Sequence, residues 1–151
     1  MPNSLIDLSK LKINEATTFS SMLTARIVWL RQRNQVTDKG QGLYRHMQAQ
    51  GLALKVVDAF EVSTADLLHA DLVLLDAFDS QSLGGSFETI VARIRFESRV
   101  PLIMLTDGYS TEQLVTALTA GADAIWSVNT PIELLLVRCH ALLRRWMSPR
   151  R

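Results

Sequence analysis

The sequence predicts a doubly wound α/β fold, a parallel sheet of five strands with helices on both faces. Three observations carry that expectation. Short apolar runs of strand length alternate five times with amphipathic stretches, each unit spanning about 20 to 25 residues. The runs are rich in Val, Ile and Leu without strict alternation, as in strands covered on both faces. Glycines follow several helical stretches, and Ser, Thr or Pro stand where helices would open.

The elements follow in order. Residues 1–24 carry Pro2, Asn3, several Ser and Thr and scattered apolar positions, and read as an N-terminal extension. Leu5, Leu8 and Leu11 would line one face of a short helix, or belong to a frayed arm. The regular pattern occupies residues 25–146, and 147–151 read as the start of a linker or tail. Arg26 to Leu30 is the first strand, and Asp38 to Gln50 a helix with Leu43, Tyr44 and Met47 inward and Gly51 as its cap. Leu54 to Asp58 is the second strand. Ser63 caps a brief helix through His69. The third strand, Asp71 to Asp76, organises the chain, because it is apolar throughout and delivers one carboxylate at its exit. In open α/β sheets ligands and chemistry sit beyond the carboxyl ends of the strands. Phe87, Ile90, Val91, Ile94 and Phe96 mark the next helix after Gly84-Gly85, and Val100 to Thr106 the fourth strand. Thr111 is placed to cap a helix carrying Leu114, Val115 and Leu118 that Gly121 ends. Asp123 to Ser127 is the fifth strand, and a final helix runs from about Pro131, an acceptable first-turn proline, to about Trp146.

Composition bounds the function. With 151 residues, 48% hydrophobic and 21% charged, the chain fits one domain with a real core. A net charge of +1 gives no global case for nucleic-acid or membrane binding, although Arg144, Arg145, Arg150 and Arg151 make the end locally basic. The longest apolar runs fall short of a membrane span and no signal peptide is recognisable, so a cytoplasmic location is expected. Cys139, the single cysteine, excludes an internal disulfide and reads as a packed, unreactive thiol. His46, His69 and His140 lack ligand spacing, and no nucleophilic constellation is present, so no enzymatic activity is expected.

Several motifs then converge on one family. They are Asp71-Leu72-Val73-Leu74-Leu75-Asp76 with Gly84 eight residues on, Val100 to Thr106, Gly121-Ala122-Asp123, and Arg138 ahead of Ala141-Leu142-Leu143-Arg144-Arg145. From Arg26 to Arg145 the sequence resembles the CheY-like receiver domain of response regulators, and its last motif resembles the OmpR/PhoB class. The resemblance implies the strand order 2-1-3-4-5. It also implies that Asp76 stands where the family accepts a phosphoryl group from a histidine kinase, with Mg²⁺ holding the phosphoryl oxygens.

The family's acidic pair after the first strand is replaced by Arg31-Gln32-Arg33, and a hard cation wants carboxylate oxygens. The lysine expected near the end of the fifth strand falls at Val128-Asn129, and the chain has no lysine after Lys55. Thr106 matches the switch hydroxyl, but the small residue expected beside it is Asp107. Asp79-Ser80 replace the usual Met-Pro. The pocket of Asp76, Thr106, Asp107, Arg31, Gln32 and Val128 is therefore read as vestigial, a pseudo-receiver for which no cofactor, Mg²⁺ included, is expected. Arg31 either makes a charge-assisted contact with Asp76 or Asp107 in place of the metal, or points into solvent.

The expected function is a phosphorylation-independent signalling and dimerisation module of a transcription regulator. The resemblance implies a homodimer through the fourth helix, fifth strand and fifth helix, with Asp123 and Arg138 at the interface. A protein partner is a further expectation, with DNA contacted only by a domain outside this chain. Two alternatives stand beside it: a pseudo-receiver sensing a small molecule such as a quinone through Trp29, Trp126 or Trp146, and a conventional phosphoreceiver at Asp76.

Overall fold

A computed structural model describes residues 25–32, 38–77, 87–107, 109–127 and 129–147. Among them, strands β1 (Arg26–Arg31), β2 (Ala53–Asp58), β3 (Leu72–Ala77), β4 (Leu102–Thr106) and β5 (Ala124–Ser127) alternate with helices. These are α1 (Asp38–Ala49), α2 (Thr64–Leu68), α3 (Phe87–Glu97), α4 (Thr111–Ala120) and α5 (Ile132–Met147). All strand pairs are parallel and the order is β2-β1-β3-β4-β5. The expected fold class is observed. None of the described helices is long and apolar enough to cross a membrane. The expectations for residues 1–24, Arg33, Asp79-Ser80, Gly84-Gly85, Val128 and the tail 148–151 lie outside the described residues.

The sheet divides two cores. Alternation along the strands sends Val28, Leu30, Val73, Leu75 and Met104 to the side where Leu67 of α2, the apolar stripe of α3 and Ala117 of α4 pack. It sends Ile27, Trp29, Leu74, Ile103 and Leu105 to Met47 of α1 and to Leu135, Leu136, Cys139 and Leu143 of α5. Every residue of β3 is buried, which is why that stretch reads as a continuous apolar run. Each fully buried Val, Leu or Ile contributes about 1.5–3 kcal/mol.

Two aspartates fasten the amino ends of the sheet in the same way. Asp71 donates its N–H to Arg26 O at 2.8 Å while its Oδ2 accepts from Arg26 N–H at 2.9 Å. Asp123 donates to Leu102 O at 2.8 Å and accepts from Leu102 N–H at 2.7 Å. The first N–H of β1 and of β4 would otherwise lack a partner, so each carboxylate closes a ladder with a charge-assisted bond. Arg95 of α3 completes the second fastening. Its Nε donates to Gly121 O at 3.0 Å, Nη1 to Ser98 O at 3.1 Å and Val100 O at 3.0 Å, and Nη2 to Asp123 Oδ2 at 2.8 Å. Gly121 is required there twice over: its φ is +128°, and an added Cβ would lie 2.7 Å from Arg95 Cγ.

Some sequence expectations need correction. Ser110, not Thr111, caps α4, because Ser110 and Gln113 form a reciprocal capping box: Ser110 Oγ accepts from Gln113 N–H at 3.2 Å and Gln113 Oε1 from Ser110 N–H at 2.8 Å. Phe96 is 92% exposed. It lies two residues past Ile94, about 200° around the helix from the stripe of Phe87, Ile90, Val91 and Ile94. In α4 the inward direction is centred on Ala117, which leaves Val115 and Leu118 side by side and half exposed.

Candidate functional site

Parallel strands bring Asp76, Thr106, Asp107, Arg31 and Gln32 to the carboxyl edge of the sheet, as expected for this topology. Asp76 and Thr106 are each 5% exposed, the two buried polar side chains of the sheet among the described residues. Asp76 shares the face of Leu72 and Leu74, toward α1 and α5, while Thr106 is paired with Ala77 in the ladder. Asp107 follows, half-buried and partnered.

The donor that reaches Asp76 is Trp29. Its Nε1–H donates to Oδ2 at 3.2 Å in a buried contact, and this is one of the partners of the carboxylate. The indole is itself fixed from α1, where Tyr44 meets it edge-on with ring centroids 5.5 Å apart and planes at 85°. β1 and β3 run in register with Trp29 opposite Leu74, so Trp29 and Asp76 stand on the same face, two residues apart along the strands. That relation was available from the strand alternation. The sequence reading missed it because tryptophan is ordinarily counted as core.

Of the two alternatives for Arg31, the ion pair to Asp76 or Asp107 is not seen among the described residues. Arg31 is half-buried, and its carbonyl accepts from Ala59 N–H at 2.9 Å. Partial hydration of a long guanidinium costs less than drawing it into the apolar face that the indole already fills. Asp58, opposite Arg31 in the β1–β2 register, is used in a turn, its Oδ1 accepting from Phe60 N–H at 2.8 Å. Mg²⁺ does not suit this edge. It seeks several hard oxygens, whereas β1 ends in Arg31 with Gln32 next in the chain, and Asp76 Oδ2 already accepts from an indole.

Asp123 and Arg138 are not brought together. Asp123 is held by Arg95 and the backbone of Leu102 at the opposite end of the sheet from Asp76. Arg138 of α5 lies over the ring of Trp126, 5.7 Å from its centroid. The sequence reading missed Arg95, because arginines on an amphipathic helix give no signal that separates a backbone clamp from a solvated charge. The histidines are also separate: His46 is on α1, His69 beside Arg26, and His140 on α5, where burial first and Arg144 second hold its imidazole below the ordinary value. Cys139 is the packed thiol expected, pushed up to about 12 by burial.

No family model matches the sequence, and no curated protein matches it either. Solved structures do. The chain is similar to a two-component response regulator from Clostridium difficile, with 18% identity, 83% of this chain and 100% of that chain covered, and a TM-score of 0.61. It is similar to the BeF3-activated N-terminal receiver domain of Klebsiella pneumoniae RstA, with 21% identity, 79% and 98% covered, and a TM-score of 0.63. A third is HP1043, an orphan response regulator of H. pylori, with 23% identity, 80% and 98% covered, and a TM-score of 0.56. Five parallel strands ordered 2-1-3-4-5 between two layers of helices, closed by an aspartate at the exit of β3, give this protein the CheY-like receiver fold.

Proposed function

We propose that this chain is a receiver-type signalling module that works without phosphorylation and acts as the dimerising part of a transcription regulator. One observation carries the reading: Asp76 is buried and its Oδ2 accepts from the Trp29 indole, beside a β1 exit of Arg31 and Gln32. In-line phosphoryl transfer depends on positioning and on spreading charge from the transferring group. A buried carboxylate accepting from an indole, with arginine and glutamine where metal ligands would stand, supports a structural role for Asp76 instead of a nucleophilic one. A cytoplasmic location goes with that reading, and no enzymatic activity belongs to it.

Dimerisation through α4, β5 and α5 is supported by the half-exposed Val115 and Leu118 on α4 and the exposed Arg138 on α5. Asp123 contributes less than the resemblance implies, since Arg95 already occupies it. Contacts to DNA are assigned to a domain outside these residues. Trp29 and Trp126 are packed in the core on the α1 and α5 side, which favours this reading over direct sensing of a quinone.

The test is to incubate the protein with acetyl phosphate and Mg²⁺ and read its intact mass. No aspartyl phosphate is expected, and beryllofluoride should leave the amide spectrum unchanged. A phosphoryl adduct on Asp76 would restore the conventional phosphoreceiver.

A further inference from the structure

At the amino ends of β1 and β2, away from Asp76, an open trough of about 380 Å³ lies between the sheet and α2. The β1–β2 register pairs Arg26 with Ala53 and Val28 with Lys55, so these four side chains stand on one face, the one on which Leu67 of α2 packs. α2 has only five residues. It is tied to the sheet at two points, by Lys55 Nζ to Asp66 Oδ1 at 2.9 Å and by Arg26 Nη1 against His69 Nδ1 at 3.5 Å. Between those ties Ala53 and Ala65 both line the trough, and two methyl groups leave the space unfilled.

The charges are unequal. Lys55 is matched by Asp66. Arg26 has no carboxylate partner for its guanidinium among the described residues, because Asp71 takes its backbone N–H. An imidazole carries no negative charge, so His69 beside the guanidinium does not neutralise it. The trough therefore combines an apolar floor with one planar cation that has no carboxylate partner among the described residues.

We propose that this trough binds a small organic acid, its carboxylate paired with Arg26 and its apolar body lying over Val28, Ala53 and Ala65. A volume of about 380 Å³ is in the range of small-molecule sites. The guanidinium fork matches a carboxylate in two-point contact. A phosphate would bring a second negative charge with no second unpaired cation to meet it, and would leave the apolar floor uncovered.

Phenylacetate, its uncharged isostere phenylacetamide, and inorganic phosphate are titrated into the ¹⁵N-labelled full chain. Phenylacetate is expected to shift the amides of residues 26–28, 53–55 and 65–69 in a saturable way. Phenylacetamide should bind about ten-fold more weakly, and Arg26→Gln should lose the acid to the same extent. Ala65→Leu fills the trough from an exposed helix position and should abolish the shifts while leaving the remaining spectrum in place. The proposal is overturned if these amides do not move, if acid and amide bind equally, if phosphate binds as well as phenylacetate, or if Arg26→Gln retains full binding.

Discussion

The indole N–H of Trp29 donates to the buried aspartate at the exit of β3. Trp29→Phe retains most of the ring and removes the donor, so a cost of about 1–3 kcal/mol is expected from the urea-unfolding midpoint. In an Asp76→Asn background the same change should cost less, since the acceptor has lost its charge, and a double-mutant cycle reads the difference. An unchanged midpoint for Trp29→Phe would mean that the indole only fills space. Arg95 acts in the same way at the other end of the sheet. Its four donated bonds join α3, the approach to β4, and the α4–β5 turn. Lysine offers a point charge in place of that fork, so Arg95→Lys should lower stability by about 2 kcal/mol at constant m value, although part of the ion pair is solvated.

At the level of elements, α2 is the one whose placement depends most on charge. Its capping box joins Ser63 and Asp66, and Lys55 ties Asp66 to β2. The Ser63 backbone N–H first, and Lys55 second, hold the Asp66 carboxyl below its usual 3.8. The folded state therefore favours the ionised form. This contribution is complete above pH 3.8 and fades as pH falls through the lowered folded value. Amide exchange across α2 should accelerate in that window before the amides of β3 do, and Lys55→Gln should start the loss at higher pH. Ser63 could be read from the sequence because a capping box has a fixed spacing. The cap of α4 was displaced by one residue for the same reason: Ser110 has Gln113 three positions on, whereas Thr111 has Leu114.

At the level of the whole molecule, α4 presents an apolar patch. Val115 and Leu118 are 55% and 48% exposed and adjacent on one helix. If the α4–β5–α5 face joins two copies, sedimentation equilibrium should find a dimer for the native chain. Val115→Asp with Leu118→Asp should yield a monomer of unchanged circular dichroism, since exposed substitutions generally alter stability by less than about 0.5 kcal/mol. A native chain that stays monomeric at high concentration removes the dimer from the proposed function.

Among the described residues, the sequence by itself determined the type and order of the elements. Apolar periodicity and cap spacing are local, and the buried run from Leu72 to Leu75 marks a central strand in any context. The strand order came from the family motifs, and Gly121-Ala122-Asp123 proves to be a helix stop followed by a ladder closure. Only the tertiary structure decided which side chains meet across the sheet. Trp29 and Asp76 lie 47 positions apart, and Arg95 and Asp123 lie 28 apart. Strand alternation puts Trp29 and Asp76 on one face once the register is known, but the register itself, and the reach of Arg95 from its helix to Asp123, come only from the folded chain. For that reason only the folded chain shows that Trp29 meets Asp76 and that Arg95 meets Asp123.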